Sequence, residues 1–135
     1  AAAKAEEPKK ETPAEKAKAR GNKAYSSGNY EDAIDHYTDA LQLDKMNPVL
    51  FSNRSAAYSG AGQMQSALND AQKCINLKPM WSKGYVRKAV ALVGLNKKEM
   101  AISAYQDALK WEPNNASVLD SLAVLKGDKK PEGEE

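Results

Sequence analysis

Helical patterning of apolar and polar positions runs from Thr12 almost without interruption to about Lys126. Turn-forming residues break it at Ser27-Gly28-Asn29, Asp44 to Asn47, Gly60-Ala61-Gly62, Leu77 to Pro79, Asn96 and Pro113-Asn114. The first helix carries its own start signal, because Thr12, Pro13, Ala14 and Glu15 form a capping box with proline at the first helical position. No stretch alternates with period two between hairpin turns, so the expected fold class is all-α.

Self-comparison at a fixed offset turns the helices into an architecture. Ala33, Ala67 and Ala101 are each 34 residues apart, as are Tyr37, Ala71 and Tyr105, and Ala40, Cys74 and Ala108. The same offset carries Pro79 to Pro113 and Gly28 to Gly62, with Asn96 at the matching turn of the third copy. Three copies therefore start near Ala14, Pro48 and Ser82. This pattern resembles the tetratricopeptide repeat (TPR), which implies a superhelix of three antiparallel helix pairs. Helices A are expected at about 14–27, 48–60 and 81–95, and helices B at about 30–43, 64–76 and 97–111. The chain departs from the repeat pattern at Ser55 and Ala89, where glycine is usual, at Ala24, an aromatic position, and at Lys45, where proline is expected.

A solenoid leaves its last repeat with an apolar flank. The segment Asn115 to Lys126 can cover it, since Val118, Leu119, Leu122, Val124 and Leu125 fall mostly on one side of a helix, and it is expected to be a C-terminal capping helix. The expected organisation is a flexible linker at 1–11, one domain at 12–126 and a polar tail at 127–135. The chain begins without Met, and a fragment of a longer protein, monomeric as a fragment, is expected.

Charge narrows the function. With Lys+Arg 20 against Asp+Glu 18, the net charge of +2 argues against a general nucleic-acid binder, so any electrostatic role must be local. No apolar run approaches a membrane span and no signal segment is seen, while the single Cys74 excludes an internal disulfide framework; a cytoplasmic setting is expected. The chain lacks a second His, a Cys-His pair at ligand spacing, a glycine-rich phosphate loop and an HExxH motif, so neither an enzyme nor a cofactor is expected.

Between Asp70 and Glu99 no acidic residue occurs, whereas Lys73, Lys78, Lys83, Arg87, Lys88, Lys97 and Lys98 all fall there. Lys83 and Arg87 are four apart and share a helix face, an arrangement that repels unless an anion sits between them. The acids Glu31, Asp32, Asp35, Asp39 and Asp44 lie on or just after a helix B, hence mainly outside, while the cations of helices A face the concave surface. Asn53 and Arg87 are 34 apart and should be neighbours on consecutive helices A, and Lys18 and Asn22 pair on the first helix A as Lys83 and Arg87 do on the third. Arginine can bind two oxygens at once, lysine supplies a point charge and asparagine donates without adding charge, a set suited to carboxylates.

Here the chain resembles the carboxylate-clamp TPR domains of chaperone adaptors, with wording nearest to the first such domain of the Hsp-organising, stress-inducible co-chaperones. The likeness rests on Lys18 and Asn22, on Asn53 in the stretch Ser52 to Tyr58, and on Lys83 and Arg87 in the stretch Lys83 to Lys88. The resemblance implies that these five grip the C-terminal carboxylate and aspartate side chain of the Glu-Glu-Val-Asp (EEVD) tail of heat shock protein 70 and heat shock protein 90. It also implies a groove including Tyr25, Ala56, Ser59, Gly60 and Gly94. The small residues at Ala56, Gly60 and Gly94 are expected to leave room for an apolar peptide side chain, and the resemblance favours heat shock protein 70.

A single Lys/Arg pair is usually just a solvated surface, but five matching positions across three helices outweigh that reading. Trp81 and Trp111 are expected to be packing residues, His36 a surface residue and Cys74 an inert packing residue. The alternative functions are a scaffold that binds an internal helix or a second copy of itself, or the regulatory part of a larger enzyme such as a protein phosphatase.

Overall fold

A computed structural model describes residues 10–131. Within them lie seven helices and no strand: α1 (Pro13–Ser26), α2 (Tyr30–Leu43), α3 (Pro48–Gly60), α4 (Met64–Leu77), α5 (Ser82–Gly94), α6 (Lys98–Trp111) and α7 (Ala116–Leu125). Most of the proposed linker, and the last four residues of the proposed tail, lie outside the described residues. The bounds differ from the sequence expectation by at most one residue, within the ordinary fraying of helix ends.

Local chemistry accounts for the starts and stops. The Thr12 hydroxyl accepts from the Glu15 N–H at 3.1 Å, and the Glu15 carboxylate accepts from the Thr12 N–H at 2.9 Å, so the capping box is formed in both directions. The side chains of Asn47 and Asn115 accept from Val49 and Val118 N–H groups and start α3 and α7. Inside each repeat the chain turns through a left-handed residue, Gly28 at φ 78°, Gly62 at φ 79° and Asn96 at φ 59°. Asparagine tolerates this region better than most residues with a side chain, which is why it serves in the third copy. The following N–H then closes each turn on an equivalent carbonyl: Asn29 on Ala24, Gln63 on Tyr58 and Lys97 on Leu92, all at 2.8–2.9 Å.

The pairs α1/α2, α3/α4 and α5/α6 pack internally, each B helix packs on the next A helix, α1, α3 and α5 touch in succession, and α7 rests on α6. Close approach depends on the small residues of the repeat: Ala33, Ala67, Ala101, Ala40, Cys74 and Ala108 are all buried. The departures from the repeat pattern are accommodated locally. Gly21 faces the ring of Tyr37, and a Cβ added there would lie 2.5 Å from Tyr37 Cε1. Ser55, in the matching place of the second repeat, is buried and donates its hydroxyl to the Ala67 carbonyl at 2.8 Å, and Ala89 is fully buried in the third.

Among the described residues, one ion pair lies in the interior. Arg54 of α3 grips Asp70 of α4 with two parallel bonds, Nε to Oδ2 at 2.7 Å and Nη2 to Oδ1 at 2.8 Å, and Nη1 donates to the Thr38 hydroxyl of α2 at 3.1 Å. The guanidinium also lies near the rings of Phe51 and Tyr58. Because the two side chains are only 14% and 3% exposed, removing one partner strands a charge in low dielectric. Asp70→Ala is expected to cost about 3–5 kcal/mol of unfolding free energy, measured by urea denaturation. A loss under about 1 kcal/mol would mean that Arg54 escapes to solvent.

Candidate functional site

With α1, α3 and α5 side by side, the inward residues of three repeats meet across short distances. The Asn22 carboxamide of α1 is the junction. Its Oδ1 accepts from the Tyr37 hydroxyl at 2.6 Å and from Asn53 Nδ2 of α3 at 3.3 Å, so its own Nδ2 is left to donate outward. On α5, Arg87 donates through Nε to the hydroxyl of Ser52 on α3 at 3.2 Å, and Ser52 is fully buried. Asn22, Tyr25, Tyr37, Asn53, Ala56 and Arg87 line one recess of about 190 Å³.

The electrostatics of this recess are unusual for a protein surface. Burial lowers the Arg87 guanidinium pKa, while the nearby Tyr25, Cys74 and Tyr37 side chains push it the other way. Among the described residues, no carboxylate forms an ion pair with Lys18, Lys83 or Arg87. A partly desolvated, preoriented guanidinium without a counter-ion is a binding group for an oxyanion.

The other expected residues are placed unequally. Lys83, exposed, shares with Arg87 a second recess of about 580 Å³ that also includes Trp81, Trp111 and Glu112. There the Glu112 carboxylate accepts from Ser82 at 2.7 Å and Asn115 at 3.0 Å, and these bonds, with a smaller contribution from Lys83, hold it below the usual carboxylate range. Lys18 stands one turn before Asn22 but lines a third recess, of about 470 Å³, beside Glu15, Asp44 and Asn47. Tyr25, 40% exposed, sits edge-on to Tyr30 at the mouth of the Asn22 recess. Ser59 is half-buried and lines none of these three recesses.

The expectation that Gly60 and Gly94 leave room for a ligand side chain is corrected. The space on the Cβ side of Gly60 is filled by the ring of Tyr30, 2.6 Å from where a Cβ would be, and that of Gly94 by Met64 at 2.5 Å. These glycines let the last turn of a helix A sit on the first residue of the preceding helix B. Trp111 is 43% exposed, short of a buried packing role, whereas Cys74 is buried and its thiol is pushed up to about 11, mainly by burial.

Two residues that shape the site were not singled out as site residues by sequence reasoning. Ser52 lies 34 residues after Lys18, and that register alone would have placed it on the groove side. Tyr37 was read only as a repeat packing position, and its hydroxyl gave no sequence signal.

Comparison with known proteins is consistent across three kinds of evidence. Family profiles described as TPR repeat and tetratricopeptide repeat match residues 21–62 and 82–115. The heat shock protein sti1 homolog of Schizosaccharomyces pombe is 49% identical over 109 residues, covering 81% of this chain and 18% of that protein. The chain spans less than half the length of the first curated relatives it matches. Among solved structures, the first TPR of Spaghetti (RPAP3) bound to HSP90 peptide SRMEEVD superposes with a TM-score of 0.80 at 34% identity, covering 85% of this chain and 94% of that one. The second TPR domain of human RPAP3, in complex with HSP70 peptide SGPTIEEVD, gives 0.77 at 32% identity, covering 82% and 92%.

The Tyr37 hydroxyl provides a test of the site's geometry. Burial, with a smaller contribution from Tyr25, pushes its pKa from 10.0 up to about 12, against a lowering by Arg87. The folded state therefore holds this proton where the unfolded chain has lost it, so the contribution to stability is complete below pH 10 and is lost as the pH rises through about 12. In paired urea titrations, the stability advantage of the wild type over Tyr37→Phe is expected to shrink across that interval. A difference that stays constant would mean the hydroxyl is solvated.

Proposed function

The chain belongs to the tetratricopeptide repeat family, and from that premise we propose that it is a co-chaperone adaptor module whose groove captures the acidic EEVD C-terminus of heat shock protein 70, heat shock protein 90 or both. In this reading the Arg87 fork takes two carboxylate oxygens, Lys18 and Lys83 supply point charges, and the carboxamides of Asn22 and Asn53 donate to the remaining lone pairs. Lys18 reaches the ligand from its own recess, one helical turn from Asn22. Tyr25 and Ala56 border the peptide. The module performs no chemical step and needs no cofactor; its product is proximity between partners.

The observation that carries the reading is Arg87: partly desolvated, tethered to Ser52 and lacking a carboxylate partner, in a recess shared with two asparagines. Support comes also from the EEVD-ended peptides named for two structural neighbours at 34% and 32% identity. The described residues contain no helix long and apolar enough to cross a membrane. The co-chaperone reading itself, through its relatives, sets the module's work in the cytoplasm.

Hydrogen bonds to charged groups contribute about 1.5–3 kcal/mol each. A few of them, less the cost of ordering an extended peptide, correspond to a micromolar complex at about 8 kcal/mol. In calorimetric titration, a peptide ending in Glu-Glu-Val-Asp with a free carboxylate is expected to bind at least about tenfold more tightly than its C-terminal amide. Lys83→Ala and Arg87→Ala are each expected to weaken the acid peptide by at least about tenfold with unchanged helical circular dichroism. Equal affinities for acid and amide would discard the clamp, and binding of internal helices or self-association in sedimentation would replace it with a scaffold.

A further inference from the structure

We infer that Ser52 is a positioning residue for the groove, and that its hold on the Arg87 guanidinium is what lets the site prefer a carboxylate end over an uncharged one. This inference rests on the clamp reading and adds the group that orients its central cation.

The argument begins with what each cation has around it. Lys83 is exposed and Lys18 half-buried, and neither has a hydrogen-bond partner among the described residues, so each acts as a solvated point charge on a flexible stem. Such charges attract any anion and discriminate poorly. Arg87 differs, because one edge of its planar fork is occupied: Nε donates to Ser52 Oγ at 3.2 Å, from α5 across to α3. With Nε committed, the terminal nitrogens are the donors left to face the recess with Asn22 and Asn53.

Ser52 itself is fixed. It is 0% exposed on the inward face of α3, so its hydroxyl cannot swing to water. No buried side-chain nitrogen or oxygen among the described residues lacks a partner, so the Ser52 hydroxyl is part of a satisfied arrangement. Substituting it leaves the Arg87 Nε–H without its acceptor in a partly desolvated site, and the fork is then free to rotate. Rotational freedom has to be removed again when a carboxylate binds, which reduces affinity for the charged end specifically. A carboxamide end, which gains little from the fork, is expected to be indifferent.

Ser52→Ala deletes the acceptor and shrinks the side chain, while Ser52→Cys supplies a poor acceptor on a larger side chain, so a loss shared by both follows the hydrogen bond and not the volume, which changes in opposite directions. Both variants are expected to weaken an acid peptide ending in Glu-Glu-Val-Asp by about five- to tenfold while leaving the affinity for the amide peptide essentially unchanged, with the thermal midpoint lowered in both by the loss of the buried acceptor. Without peptide, nitrogen-edited NMR should show a slowly exchanging Arg87 Nε–H signal in the wild type that both variants lose. Unchanged acid-peptide affinity, equal losses on acid and amide peptides, or a Cys variant that behaves as wild type while Ala does not would each overturn the inference. If the wild type itself binds acid and amide alike, the clamp falls. The NMR signal then still reports whether Ser52 holds Arg87, so the two failures are distinguishable.

Discussion

The ring of Tyr37 fills the space that Gly21 leaves open, and its hydroxyl, 2.6 Å from Asn22 Oδ1, converts that packing contact into a fixed position for a site residue. Much of the molecule follows from this kind of contact. Where a helix A presents no bulk, a helix B can approach until its larger side chains reach the far surface. The core beneath the groove and the groove itself are thus one packing arrangement seen from two sides. Loosening the first pair would blur the position of Asn22, and with it the junction to Asn53.

The same closeness makes the groove a composite of successive repeats. No single helix pair holds the constellation: Asn22 comes from the first, Asn53 and Ser52 from the second, Arg87 and Lys83 from the third. Each repeat contacts mainly its neighbours, so the accuracy of the site depends on two interfaces, α2 with α3 and α4 with α5, together with the direct contacts of α1, α3 and α5. The small alanines at those interfaces contribute little apolar area individually, yet they determine the spacing on which the polar contacts rely.

Two arginines on equivalent helices show how environment divides structure from recognition. Arg54 has a bidentate carboxylate, a hydroxyl and two nearby rings, and the hydrogen bond to Asp70 pushes its pKa up. Arg87 has one neutral hydroxyl and no carboxylate, and burial pushes its pKa down. The first is a closed interior network whose partners are all supplied by the chain. The second is left open to a partner from outside the chain, and the near-neutral overall charge hides it because the acids of α2 are exposed and none of them lines the recess of Arg87.

The sequence by itself determined the helix count, the 34-residue register, the turns at Gly28, Gly62 and Asn96, and the adjacency of Asn53 and Arg87 within one groove, because all of these follow from local periodicity and its repetition. Only the tertiary structure decided which neighbour fills each space. Gly60 and Gly94 read as vacancies along the chain but are filled by Tyr30 and Met64, each 30 residues earlier, and Lys18 shares a helix face with Asn22 yet opens on a different recess. The tethering of Arg87 by Ser52 and of Asn22 by Tyr37 was likewise invisible in the spacing. The physical reason is that a repeat pattern specifies faces of helices, whereas occupancy of a gap depends on how far one helix slides and turns against another, and that is settled by the sizes of side chains distant in sequence.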